Sequence, residues 1–216
     1  MQNILAIDTC TEVCSVSLYT QGKITSRFVQ NAAKSSDLIL DLCTEVFAQT
    51  GISLAAVDAI VYTKGPGAFT GVRLCVSVVQ GISLAHNIPT MGFSTLEVLG
   101  FGAAQKYQSA KIAVALDARM GEVYWGVYAD GVLRNERLAT ADKVDILGTD
   151  FIGVGTGWGT FADELAEQTG IEIFTADFYP QAQNLIALCL QQKKAFDDKL
   201  PLPVYLRNNV AKKSLK

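Results

Sequence analysis

Ile112-Ala-Val-Ala-Leu-Asp117 decides the fold, because it repeats Ile4-Leu-Ala-Ile-Asp8 in the second half of the chain. Each is a short apolar run ending in a carboxylate, the pattern of a buried strand that stops at a turn. After each Asp a polar turn leads into Glu-Val, at Glu12-Val13 and Glu122-Val123. The strand that follows ends in Tyr-x-x-Gly, from Tyr19 to Gly22 and from Tyr128 to Gly131. Gln21-Gly22 and Asp130-Gly131 then close hairpins into the runs 24–28 and 132–138. Between Val13 and Tyr19, Ser15 and Ser17 alternate with apolar residues, which predicts a half-buried strand.

The third repeated piece is a strand that breaks into glycines before a helix. In the first half it is Ala59-Ile-Val-Tyr62 followed by Lys64-Gly-Pro-Gly-Ala-Phe-Thr-Gly-Val-Arg73, and in the second it is Phe151-Ile-Gly-Val-Gly-Thr-Gly-Trp-Gly159. Gly65 and Gly67 allow positive φ or close backbone approach, Pro66 fixes φ, and Thr70 has the chemistry of an N-cap. Such a loop either cradles an anion on its amides or docks a partner, and no Gly-Lys-Ser/Thr closes it as in a Walker P-loop. Strand–hairpin–strand, helix, strand–Gly loop–helix therefore occurs twice, giving two lobes, 1–110 and 111–216. Two βββαβα halves make the duplicated α/β architecture of actin and hexokinase. There, acids at the ends of the first strands surround a nucleotide between the lobes. Asp8 and Asp117, with Gly155 and Gly157, stand at the corresponding places, and turn initiation explains both acids equally well. The turns after them carry only Gly121, a poor cradle for phosphate.

Two helices of the first lobe are more apolar than a sheet-covering helix needs to be. Ser35 or Ser36 is expected to cap the first, which runs to Gln49 with Gly51 behind it, and Leu38, Ile39, Leu42, Cys43, Val46 and Phe47 span about half its circumference at 100° per residue. The second is apolar from Val72 to Ala85 on most sides, with Ser77, Gln80 and Ser83 as a thin polar stripe. It is either a central core helix or one that its own sheet covers on one side and a partner on another. Ser94-Thr-Leu-Glu97 has capping-box spacing for a third helix to about Tyr107, a last helix is expected from about Gln181 to Phe196, and Pro201 and Pro203 hold the following segment extended.

The chain has 216 residues, half of them apolar, and a formal net charge of −3, so no general basic field grips nucleic acid. No apolar run approaches the roughly 20 residues of a membrane span, and Met1 to Asp8 lacks the order of a signal peptide. Five cysteines, Cys10, Cys14, Cys43, Cys75 and Cys189, lie in apolar surroundings without a C-x-x-C pair, which predicts buried reduced thiols and a cytoplasmic protein. The one histidine, His86, ends the apolar helix; alone it cannot supply metal spacing, and a hydrolase triad would have to use it although no nucleophile elbow lies nearby. Arg73, in the first turn of that helix, is either solvated or reaches an acidic group outside it. Arg119 is placed to pair with Glu122 within its own turn. The basic end Lys212-Lys-Ser-Leu-Lys216 reads as a solvated tail or an RNA contact.

Ile4 to Thr9, Gly65 to Arg73, Asp117-Ala-Arg-Met-Gly-Glu-Val-Tyr-Trp125, Val154-Gly-Thr-Gly-Trp158 and Pro203-Val-Tyr-Leu-Arg-Asn-Asn-Val210 together closely resemble the bacterial TsaB (YeaZ) family of the actin-like (ASKHA, RNase H-like) superfamily. The resemblance covers essentially the whole chain. It departs at Ala68, where a Ser is usual, at Leu74-Cys75-Val76-Ser77, where small residues are usual, and at Ser35, where a His is frequent. It implies a non-catalytic scaffold required for N6-threonylcarbamoylation of adenosine 37 in tRNAs that read codons starting with A. TsaD would be the catalytic, metal- and nucleotide-bearing partner and TsaE an ATPase that joins them. No cofactor is implied beyond ATP or ADP at a complex interface. The expected contact with TsaD, or with a second copy in a homodimer, is through Leu38, Leu42, Val46, Val72, Val76 and Val79. The alternatives are an actin-fold ATPase or phosphotransferase using Asp8 and Asp117, and a glycoprotease-like metallopeptidase.

Overall fold

The computed structural model describes residues 2–30, 35–192, 195–197 and 199–207. The first lobe runs β1 (Asn3–Asp8), β2 (Val13–Thr20), β3 (Lys23–Gln30), α1 (Ser35–Thr50), β4 (Ala59–Thr63), α2 (Phe69–His86), β5 (Thr90–Phe93) and α3 (Thr95–Tyr107). The second runs β6 (Lys111–Arg119), β7 (Glu122–Ala129), β8 (Val132–Ala139), β9 (Ile152–Val154), α4 (Gly157–Thr160), α5 (Ala162–Thr169), β10 (Ile173–Thr175) and α6 (Ala182–Gln192). The sheet orders, β3-β2-β1-β4-β5 and β8-β7-β6-β9-β10, are the same order twice. Both hairpins turn on two residues with positive φ, Gln21 and Gly22 in one and Asp130 and Gly131 in the other. This is a duplicated actin-like α/β fold.

Period-two alternation sends each central strand into two cores. Leu5 and Ile7 face α1 and α2, while Ile4 and Ala6 face the interior between the sheets. In β6, Ile112, Val114 and Leu116 face that same interior, and Ala113 and Ala115 face Trp125 and Trp158 outside. The interior is filled by α3 and α6, and they cross over. Helix α3, which follows the first sheet in sequence, packs on β6 and β7, whereas α6, from the end of the chain, packs on β1 and β2. The strands of the two sheets thus come from residues 3–93 and 111–175, and each half of the chain lends a helix to the other's sheet.

That exchange explains a departure from the expected half-buried β2. Ser15 and Ser17 are fully buried because α6 covers their face. The Ser15 hydroxyl accepts from the Ala182 amide at 3.0 Å and donates to the Arg27 carbonyl at 3.2 Å, and the Ser17 and Ser26 hydroxyls pair at 2.8 Å. Polar atoms with partners can be buried at little cost. The repeat is also incomplete. Where α1 stands in the first lobe, the second has only the single 3-10 turn Ala141–Lys143, and Ala141, Val144 and Leu147 pack with Trp125 without an α-helix there. Helix α1 already contains both Ser35 and Ser36, so neither is its cap. The Ser94 cap is present, accepting from the Leu96 amide at 3.1 Å, but Glu97 takes a hydrogen bond from Gln192 at 2.6 Å instead of closing a box.

Candidate functional site

The glycine loop is built for close approach. A Cβ on Gly67 would lie 2.0 Å from the Cys10 carbonyl oxygen, and one on Gly71 would lie 2.1 Å from that of Thr9. The Ala68 amide donates to Cys10 O at 2.8 Å and the Thr9 hydroxyl donates to Gly71 O at 2.8 Å. The head of α2 therefore sits directly on the β1–β2 turn, which spends the Ala68 amide on protein backbone rather than on an anion. Thr70 is not the cap. Helix α2 starts at Phe69 with Ala68 in the cap position and no side-chain bond there, and Thr70 is exposed in the first turn. Gly65 takes φ +100°, and its missing Cβ makes room for the Val204 carbonyl. Gly155 and Gly157 repeat the arrangement in the second lobe by packing against Ala115 of β6.

A cavity of about 450 Å³ lies between the lobes, walled by residues 10–12, 66–69, 116–120 and 204–207 with Tyr124 and Thr156. Asp117 opens into it, and its carboxylate is held by the Arg119 amide at 2.7 Å and the Arg119 guanidinium at 2.9 Å. Asp8, Gly155 and Gly157 do not line it. Asp8 is fully buried beneath the turn, where its Oδ1 accepts from the Thr63 hydroxyl and from the Cys10 amide at 3.1 Å, while Oδ2 has no partner among the described residues. Burial pushes its carboxyl up to about 6, with the Thr63 and Cys10 bonds pulling the other way. Burial likewise pushes the Cys14 and Cys43 thiols up to about 12, and all five cysteines are free and buried.

Long side chains find partners other than those expected. Arg73 reaches no acid among the described residues. Its Nε donates to the Tyr205 hydroxyl at 3.0 Å and its guanidinium lies 3.6 Å over the Phe69 ring. Arg119 pairs with Asp117, and with Glu12 at 3.8 Å, while Glu122 belongs to Arg207 at 2.7 Å. Among the described residues no group of three His, Cys, Asp or Glu side chains could hold a metal ion, and His86 is exposed at the end of α2.

The expected partner face also needs correction. Leu42, Val46, Val72, Val76 and Val79 are at most 5% exposed and form the core between α1, α2 and the first sheet; only Leu38 is half-buried. In α2 the sheet takes the positions 72, 75, 76 and 79, an i, i+3, i+4, i+7 stripe. Leu74, Val78 and Ile82 are half-buried at the edge of that core, and Phe69 and Leu84 towards the two ends of the helix are exposed. By length and composition α2 could cross a membrane, but one full stripe of it is docked on its own sheet.

A model of the TsaD family, described as tRNA N6-adenosine threonylcarbamoyltransferase, matches residues 29–214. The tRNA threonylcarbamoyladenosine biosynthesis protein TsaB of Escherichia coli K12 is 35% identical, over 98% of this chain and 97% of that protein. The protein of the same name from Haemophilus influenzae is 30% identical, over 100% and 98%. This chain belongs to the TsaB (YeaZ) proteins of the TsaD-type family. The structure of YeaZ from Pseudomonas aeruginosa, at 34% identity, superimposes with a TM-score of 0.85 over 95% of this chain and 100% of that one. In this member of the TsaB family, the glycine loop, the Asp117 turn and the paired lobes were legible as motifs. The fastening of residues 201–207 across the cavity was not, and its only signal in the sequence was the two prolines.

Proposed function

We propose that this chain is a non-catalytic subunit in the formation of threonylcarbamoyladenosine at position 37 of tRNAs that read codons starting with A. It would act in the cytoplasm as a platform for TsaD, help to recruit TsaE, and self-associate as a homodimer when alone. The names of its relatives support the pathway. The observation that carries the platform reading is the apolar stripe Leu74, Val78 and Ile82 on α2, flanked by exposed Phe69 and Leu84. These three side chains pack on the edge of the first-lobe core, and the part of each that stays open, together with exposed Phe69 and Leu84, is apolar surface suited to another helix. The division of labour is supported by the donor set: a lone exposed His86, an Asp8 sealed from the cavity, and a loop amide spent on Cys10 O. ATP or ADP would then be held at the complex interface rather than by this chain alone.

The test is a reconstitution with TsaD, TsaE and tRNA. Omitting this chain should stop modification, and Val78→Asp should abolish co-purification with TsaD while the variant stays folded. Full pairing by Val78→Asp together with Leu74→Asp would refute the surface. Tight Mg-ATP binding by the isolated chain that is lost in Asp117→Asn would instead favour an actin-fold ATPase.

A further inference from the structure

We propose that residues 201–207 are a latch that holds the mouth of the inter-lobe cavity at one fixed opening. The segment forms no helix or strand, and Pro201 and Pro203 keep it extended, so little conformational entropy is lost when it is laid across the protein. It is fastened to the first lobe at several places. Gln80 Nε2 donates to the Pro201 carbonyl at 2.6 Å, the Val204 amide donates to the Lys64 carbonyl at 2.7 Å, and Arg73 donates to the Tyr205 hydroxyl at 3.0 Å. The Tyr205 ring also packs on Phe69, with centroids 5.9 Å apart. Gly65 is part of the fastening, since a Cβ there would come within 2.6 Å of Val204 O.

At its far end the segment grips the second lobe through one side chain. Arg207 Nη2 donates to the carbonyls of Ala118 at 3.1 Å and Arg119 at 3.2 Å, and Nη1 meets Glu122 at 2.7 Å. The Arg207 side chain is only 13% exposed and Glu122 29%, so the pair is shielded and its hydrogen bonds are charge-assisted. The other ion pair across the mouth, Glu12 with Arg119, spans 3.8 Å with side chains 47% and 75% exposed, and holds little. Deep in the molecule the lobes share the α3 and α6 core, so any opening must occur at the mouth, where Arg207 is the tie. The latch also joins the β6–β7 turn to α2, because Gln80, Arg73 and Phe69 all lie on that helix.

The test uses the isolated full chain and does not depend on the partner reading above. Amide exchange at Val204 reports the first-lobe fastening, and the distance between spin labels on Ser77→Cys and Asp142→Cys reports the opening of the lobes. Both label positions are exposed and the native thiols are buried. In Arg207→Ala, Val204 should exchange at least about ten-fold faster and the label distances should lengthen and broaden. Arg207→Lys, which keeps a charge for Glu122 but loses the fork on two carbonyls, should fall between. Unchanged Val204 exchange overturns the latch, as does faster exchange with an unaltered distance, which would make the segment a local tether. Glu122→Gln attacks the same junction from the other lobe and decides by the same two readings if Arg207→Ala does not fold.

Discussion

Asp8→Asn isolates the cost of sealing a carboxylate beneath the β1–β2 turn. Asp8 is fully buried, one of its oxygens has no partner among the described residues, and its carboxyl is pushed from 3.8 to about 6. In the unfolded chain it ionises near its ordinary value, so between those two values the folded state holds a proton that the unfolded state has lost. Stability from this group is therefore fully present below pH ~4 and is lost as pH rises through about 6. Two units correspond to about 3 kcal/mol, of which about 2.5 kcal/mol falls between pH 4 and 7.5. Asparagine can still accept from Thr63 and the Cys10 amide through its oxygen and carries no charge to bury. Urea midpoints of the parent and variant at pH 4 and 7.5 test this. Glu136, which burial also raises, is common to both proteins and cancels in the difference. The variant should gain about 2.5 kcal/mol on the parent across that range, a relative midpoint shift of roughly 1–2 M urea. A difference between the two proteins that is the same at both pH values within about 0.5 kcal/mol would refute the burial argument.

Three further outcomes follow from packing. Gly67→Ala should destabilise by about 3 kcal/mol in the same assay, because a Cβ 2.0 Å from Cys10 O forces α2 off the turn beneath it. Val79→Asp should unfold the first lobe, since it leaves a charge unpaired at a fully buried position, whereas Val78→Asp, half-buried at the edge of that core, should lower the thermal midpoint but leave the lobe folded. An aromatic disulfide reagent should leave all five buried thiols largely unmodified in the native protein and titrate all of them in denaturant; rapid native labelling of Cys14 or Cys43 would contradict their burial.

The sequence by itself determined the duplicated fold, both hairpins, both glycine corners and the family. Each of those rests on short-range chemistry: a period of two, a residue that must take positive φ, or a motif contiguous in the chain. It also determined that α1 and α2 carry excess apolar surface. Tertiary structure decided which part of that surface is spare. A periodic pattern reports that a side chain is buried but not what buries it, so Val72, Val76 and Val79 read as a partner face when they are the core, and Leu74, Val78 and Ile82 lie half-buried at its edge. The same limit hid α6 over Ser15 and the exchange of α3 and α6 between sheets. Long charged side chains were the least legible. Arg73 meets Tyr205 and Arg207 meets Glu122 only because residues 201–207 are laid across both lobes, and contacts between residues so far apart in sequence leave no local pattern to read.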